Sequence, residues 1–215
     1  MTETEGGPKE AWLAQGVGVP SVCVTGDGKD FLCCYTEWSN RLKRGVQICA
    51  ARCPIDDVAQ SNPWKKYSNG RFGEPGLGGH ETPVMTAGTR ADTYDAHVQW
   101  VEKWQRYVLV FGCGLHSEVL SKPPKAIESG LFVTTSKDGV TWAKPVRIET
   151  VFPLVIVTQP CKVHPTLMIS SVSEKKLTGR LVYGWTPEWP RESHCLGGRA
   201  VTLTLGGKGP APAKQ

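Results

Sequence analysis

The sequence has no apolar run able to cross a bilayer: its longest, Val151–Val157, is broken by Pro153 and falls far short of the roughly 20 residues a spanning helix needs. It also lacks a cationic run. Lys and Arg number 25 against 20 Asp and Glu, so the formal charge of +5 is mild and scattered, which argues against a nucleic-acid partner. None of the eight cysteines (Cys23, Cys33, Cys34, Cys49, Cys53, Cys113, Cys161, Cys195) forms a C-x-x-C pair, so neither a zinc site nor any other metal or cofactor is indicated. The thiols read as small hydrophobes on strand faces, with a disulfide or two as the alternative. There is no G-x-S-x-G and no H-E-x-x-H, and no helix pattern follows Gly76-Leu77-Gly78-Gly79. Serine-hydrolase, zinc-protease and phosphate-loop chemistry therefore have no motif behind them. The start, Met1 to Gly7, has neither a basic nor an apolar region of a secretory signal, so the chain as written reads as cytoplasmic.

What is present is turn chemistry and tryptophan. With 24 Gly, 16 Pro and 8 Trp at 40% hydrophobic content, the composition describes short strands punctuated by turns, with large aromatics that need packing partners. Three segments open alike: Pro20-Ser21-Val22-Cys23-Val24, Ala96-His97-Val98-Gln99-Trp100 and Pro165-Thr166-Leu167-Met168-Ile169. Each is β-prone and leads, through a polar gap suited to a hairpin turn, into a second β-rich run: Phe31–Thr36, Tyr107–Gly112 and Arg180–Trp185. Third strands are expected at Val46–Arg52 and Gly130–Thr135, and short fourth strands at Trp64–Tyr67 and Trp142–Val146.

The openings stand 76 and 69 residues apart, a spacing that suits four-stranded antiparallel blades with long loops. The predicted fold is thus all-β and β-propeller-like, a single domain over about 16–205 with units at about 20–68, 94–148 and 163–205. The ends, 1–15 and 206–215, read as disordered tails. Three blades are too few for the usual ring of about four to eight. That leaves a fragment, a half that closes by homo-oligomerisation, or a compact variant in which Thr82–Ala87 and Val151–Thr158 supply further strands.

The second unit holds Ser136-Lys137-Asp138-Gly139-Val140-Thr141-Trp142, in which Asp138-Gly139 makes a turn and Trp142 folds back on it. It is similar to a shortened Asp-box of sialidase-like propellers, an architectural device. Together with Trp64-Lys65-Lys66-Tyr67-Ser68-Asn69-Gly70-Arg71-Phe72 and the strand Ile48–Cys53, these features resemble the five-bladed β-propeller glycoside hydrolases around the family 43 arabinofuranosidases and xylosidases. The resemblance covers approximately Pro20 to Leu205. It implies an inverting glycosidase acting on a polysaccharide or oligosaccharide, with acids near the starts of inner strands converging on an axial pocket. Inversion needs two carboxyl groups about 6.5–9.5 Å apart.

On that resemblance Asp95, at the second opening, takes the place of the Asp that tunes the acid, with Ala96 where the family has Pro. An Asp at a strand start also caps turns, and this reading stays open. Glu37 and Glu128 are the other candidate catalytic carboxylates; Glu81 and Glu188 read as loop residues. His97 shares a side of the strand with Asp95 by alternation, facing the axis or a neighbouring blade. Trp38, Trp100 and Trp189 either stack on sugar rings or pack between blades. Arg90 and Asp92 either bond hydroxyls or cap the strand. The first and third openings, Val19-Pro20 and His164-Pro165, carry no acid, which sets a second reading beside the enzyme: a non-catalytic module that binds glycan or another protein, or a truncated, inactive enzyme.

Overall fold

The computed structural model describes residues 17–37, 46–85, 92–114, 130–149, 161–186 and 195–206. They form three antiparallel sheets, each traversed in sequence order. The first contains β1 (Val17–Val24), β2 (Asp30–Glu37), β3 (Gln47–Pro54), β4 (Lys65–Ser68) and β5 (Arg71–Pro75). The second contains β6 (Asp92–Val101), β7 (Arg106–Gly114), β8 (Gly130–Ser136) and β9 (Val146–Glu149); the third contains β10 (Cys161–Val172), β11 (Lys176–Thr186) and β12 (Cys195–Thr204). The fold is therefore all-β and propeller-like, with three blades among the described residues.

Successive sheets stack face to face, and the burial pattern follows from that. Leu32, Cys34, Ile48 and Ala50 of the first sheet meet Ala96, Val98, Leu109 and Phe111 of the second. On the opposite face of the second sheet, Val108, Val110, Leu131 and Val133 meet Leu167, Leu177, Leu181, Val201 and Leu203 of the third. A sheet covered on both faces has no solvent side to vary, which is why Tyr107–Phe111 is an unbroken apolar run, every residue of it buried. The third sheet has an open face instead, and β12 alternates accordingly: Val201 and Leu203 are buried while Thr202 and Thr204 are exposed. On that open face Met168 and Leu196 are 58% and 83% exposed.

The three hairpins from first to second strand turn at one rim. Thr25 Oγ1 bonds Asp27 Oδ1 (2.6 Å), and Gly28 takes φ 71°, a left-handed turn that Gly makes without a Cβ clash. Gln105, at φ 48°, ends the short 3-10 turn Glu102–Trp104, and Trp104 Nε1 donates to the Ser173 carbonyl of the third hairpin at 2.8 Å. The Asp-box-like turn has the expected architecture. Asp138 Oδ1 accepts from Ser136 Oγ (2.8 Å), Val140 N–H (2.9 Å) and Thr141 N–H (2.7 Å), while Trp142 packs into the core between the first two sheets. The Asp138 carbonyl accepts from Arg52 of the first sheet at 2.8 Å.

Blade composition departs from the expectation of four strands per unit. The first sheet has five because Asn69-Gly70, both at positive φ, turns β4 back into β5, and the third has three among the described residues. The fourth strand of the second unit is Val146–Glu149 and not Trp142–Val146, since Trp142 makes only a single bridge to Ser136. Met85 bridges Ile48 in the same isolated way. Residues 151–158 and both expected tails, apart from Gly206, lie outside the described residues. Among the described residues no helix is long and apolar enough to cross a membrane.

Candidate functional site

β1, β6 and β10 are the first strands of their sheets, and β6 packs along β1 as β10 packs along β6. Each carries a bulge near its start, where the register shifts between Gly18 and Ser21, Tyr94 and His97, and Val163 and Thr166. At each bulge one residue is left-handed: Val19 (φ 49°), Asp95 (φ 54°) and His164 (φ 52°). Each is followed by the Pro20, Ala96 or Pro165 that marks the repeat. A residue extruded by a bulge loses its place in the ladder, so its N–H needs another acceptor.

The acceptors come from the preceding sheet. Asp95 N–H donates to Thr36 Oγ1 (3.0 Å), and His164 N–H donates to Asp95 Oδ2 (2.9 Å). Thr36 pairs with Gly18, the residue before the first bulge; Gly112 holds the matching place opposite Tyr94. Gly112 has no side chain to offer, because a Cβ there would collide with the Tyr94 ring. Asp95 does in the second sheet what Thr36 does in the first.

One step further along the strands, Ser21 Oγ accepts the Val98 N–H (3.0 Å) and His97 Nδ1 accepts the Leu167 N–H (3.4 Å). His97 and Asp95 thus both face the third sheet. The bulge also brings Tyr94 and His97 onto one face, opposite Gly112 and Val110, which simple alternation forbids. Burial lowers the pKa of His97, keeping it neutral, and Nδ1 also lies 3.2 Å from the Gln99 amide. Both donors converge on Nδ1, so the proton resides on Nε2.

Asp95 is buried, its side chain 6% exposed, while the His164 side chain is 62% exposed. His164 Nδ1 lies 3.3 Å from Asp95 Oδ2. Burial pushes the Asp95 carboxyl above the usual aspartate value, and the charge and N–H of His164 pull it back. A buried carboxylate thus holds an exposed imidazole at the rim where the first strands begin. Sequence reasoning noted His164 only as the missing acid of the third opening. Its signal was there: it precedes Pro165 in the frame in which Asp95 precedes Ala96.

The remaining candidates are dispersed. Glu37 ends β2 and is 2% exposed, but Thr36 faces β6, so alternation turns Glu37 to the other face of the first sheet, with Tyr35. Asp92 Oδ1 caps the Val46 N–H at 2.7 Å, and Glu81 pairs with Lys66 at 2.7 Å. Trp100 sits at the opposite rim from Asp95, five residues or about 17 Å along the strand. Its ring lies on Gly26 and edge-on to Tyr107 (4.8 Å between centroids), and its Nε1 donates to Glu102 (2.6 Å). It lines an open groove of about 650 Å³ with Val22, Val24, His97 and Gln99. Trp38, Arg90 and Glu128, together with Glu188 and Trp189, lie outside the described residues. Among the described residues no group of three or more His, Cys, Asp or Glu converges to hold a metal ion.

No family model matches the sequence, and no curated protein matches it. Among solved structures the chain is similar to an N-acetylgalactosamine deacetylase from F. plautii in complex with blood group B trisaccharide, at TM-score 0.52 and 14% identity, over 86% of this chain and 49% of that one. A Hadza microbial sialidase (TM-score 0.44, 16% identity, 80% of this chain and 33% of that one) matches more loosely. So does the GH93 α-L-arabinofuranosidase of Fusarium graminearum, solved with arabinobiose (TM-score 0.43, 14% identity, 81% and 41%). The first of these likenesses supports the fold alone. The chain spans about half the length of that deacetylase chain and less of the other two.

Proposed function

We propose that this chain is a carbohydrate-active module whose site lies at the rim where β1, β6 and β10 begin. The observation that carries the reading is the buried Asp95 carboxylate held against the exposed His164 imidazole at the shared bulge position of two first strands. A polar, pre-positioned group on a rigid strand suits recognition of sugar hydroxyls, which need donors and acceptors in fixed directions. The similar deacetylase was solved with a trisaccharide, which agrees with this reading.

The finer form of the proposal is inverting glycoside hydrolysis of the family 43-like type, with Asp95 the tuning carboxylate and Glu128 a remaining acid. Glu37, turned to the other face, fits that role less well. Non-catalytic glycan binding is the second reading, favoured because Val19 and His164 stand where two further acids would be needed. Turnover of p-nitrophenyl α-L-arabinofuranoside and β-D-xyloside, measured beside glycan-array binding, separates them. Hydrolysis abolished by Asp95→Asn supports the enzyme, and binding without turnover supports the module. The absence of both binding and turnover overturns the proposal.

A further inference from the structure

We infer that His164 is the ligand-facing group of this site and Asp95 its buried positioning residue, the two forming a dyad that presents the imidazole Nε2 to a hydroxyl-bearing ligand. The inference rests on the carbohydrate reading above and assigns within it the group that touches the sugar.

The geometry carries it in three steps. His164 is held twice by one carboxylate: its backbone N–H donates to Asp95 Oδ2 at 2.9 Å, and its ring Nδ1 lies 3.3 Å from the same oxygen. A carboxylate 3.3 Å from Nδ1 favours the tautomer with the proton on that nitrogen, which leaves Nε2, on the far side of the ring, as a lone-pair acceptor. Exposure then divides the roles, since the imidazole is 62% exposed and the carboxylate 6%. A sugar approaching this rim meets the ring before it meets the acid. The left-handed backbone at His164 (φ 52°) adds to this, because a non-Gly residue held there is fixed in direction by its surroundings.

His97 supplies an internal contrast. Its Nδ1 accepts from Leu167 and lies beside the Gln99 amide, so it carries the opposite tautomer and serves the junction between sheets. Two histidines on neighbouring strands thus hold complementary protonation patterns for different jobs. The ligand class is a polyhydroxylated compound able to donate an O–H to Nε2, and no bond to the ligand need form or break.

The test is long-range ¹H–¹⁵N correlation of the imidazoles at neutral pH, followed by titration with arabinotriose, xylotriose and blood group B trisaccharide. The expected spectrum shows His164 protonated on Nδ1 and His97 on Nε2, with the His164 preference lost in Asp95→Ala. Should Asp95→Ala fail to fold, Asp95→Asn with a mixed His164 tautomer serves the same purpose. A bound sugar shifts the His164 ring signals. His164→Asn, which tolerates the left-handed backbone, weakens binding at least 10-fold at unchanged Tm, and the double variant with Asp95→Asn loses no more than the worse single one. His164 protonated on Nε2, or His164→Asn binding as tightly as wild type, overturns the inference. Wild-type protein that shows the Nδ1–H tautomer but binds no sugar keeps the pairing and overturns both the carbohydrate reading and the ligand-facing role.

Discussion

Ser21 Oγ accepts the backbone N–H of Val98 at 3.0 Å, a bond between the first strands of two sheets that share no ladder. It satisfies an amide that the edge position of β6 would otherwise leave unpaired in the part-buried seam. Ser21→Ala removes the acceptor and strands the donor, at a cost of about 1–3 kcal/mol. In a chain of this size that corresponds to a fall in Tm of roughly 2–12 °C. Thermal unfolding followed by circular dichroism measures it, and an unchanged Tm contradicts the role given to this bond.

Asp138 predicts how the second sheet responds to acid. Burial opposes its charge, but the N–H groups of Thr141 and Val140 and the Ser136 hydroxyl outweigh burial and hold the carboxyl down at about 2, against an ordinary value of 3.8. A depressed carboxyl contributes stability that is present above the unfolded value and is lost as pH falls from about 4 toward 2. Asp138→Asn is therefore expected to flatten the acid limb of the stability curve in that window. Urea denaturation midpoints between pH 2 and 6 provide the comparison.

Asp95 has the opposite sign. Burial raises its pKa against the pull of His164, so the carboxylate favours folding most when protonated, and that contribution is lost as pH rises through the folded value. At neutral pH Asp95→Asn should therefore unfold at or above the wild-type Tm while losing sugar binding. Stability gained and function lost in one substitution mark a functional residue kept at a cost in stability. A large drop in Tm would identify Asp95 as purely architectural.

Glu149 ties the second sheet to the third, with Lys162 at 2.9 Å and Arg199 at 3.0 Å. Burial opposes its charge, and the two cations more than compensate, lowering its pKa. Glu149→Gln is expected to leave the first sheet unaffected and to speed amide exchange in β10–β12. Hydrogen exchange resolved by strand tests this; uniform acceleration in all three sheets would rule out a local role.

The thiols should divide by burial. Cys33, Cys34, Cys49, Cys53 and Cys113 are buried, and Cys195 is exposed. Burial pushes Cys23 up to about 11 and Cys33 to about 12, which denies them thiolate at neutral pH. Cys195 is expected to react with Ellman's reagent in the native state, whereas these buried thiols wait for denaturant.

Much of this architecture could be read in the residues. The openings at Pro20, Ala96 and Pro165 lie at equivalent bulges, the hairpin gaps turn where expected, and the Asp138 turn bonds as its sequence implies. Asn69-Gly70 was a hairpin signal, yet β5 was missed because its short, half-exposed run, Arg71–Pro75, shows no apolar periodicity. The site was harder to read. A bulge shifts alternation by one residue and leaves no mark in composition, so the pairing of Asp95 with His164, 69 positions away, depends on stacking between sheets that a linear pattern does not encode. Glu37 is turned away from Asp95 for a related reason. It adjoins Thr36, which touches Asp95, and adjacency along a strand means opposite faces.

The three left-handed bulge residues behave as interchangeable sockets on one rim. Backbone geometry, and not the side chain, sets the direction in which each projects, so the fold accepts a valine, an aspartate and a histidine at equivalent places. Valine is the poorest occupant, since a β-branched residue resists the left-handed region that Asp and Asn enter more readily. Position 19 is thus a site where an acid can be installed while backbone strain is relieved. An engineer wishing to give this rim a second carboxylate would begin with Val19→Asp.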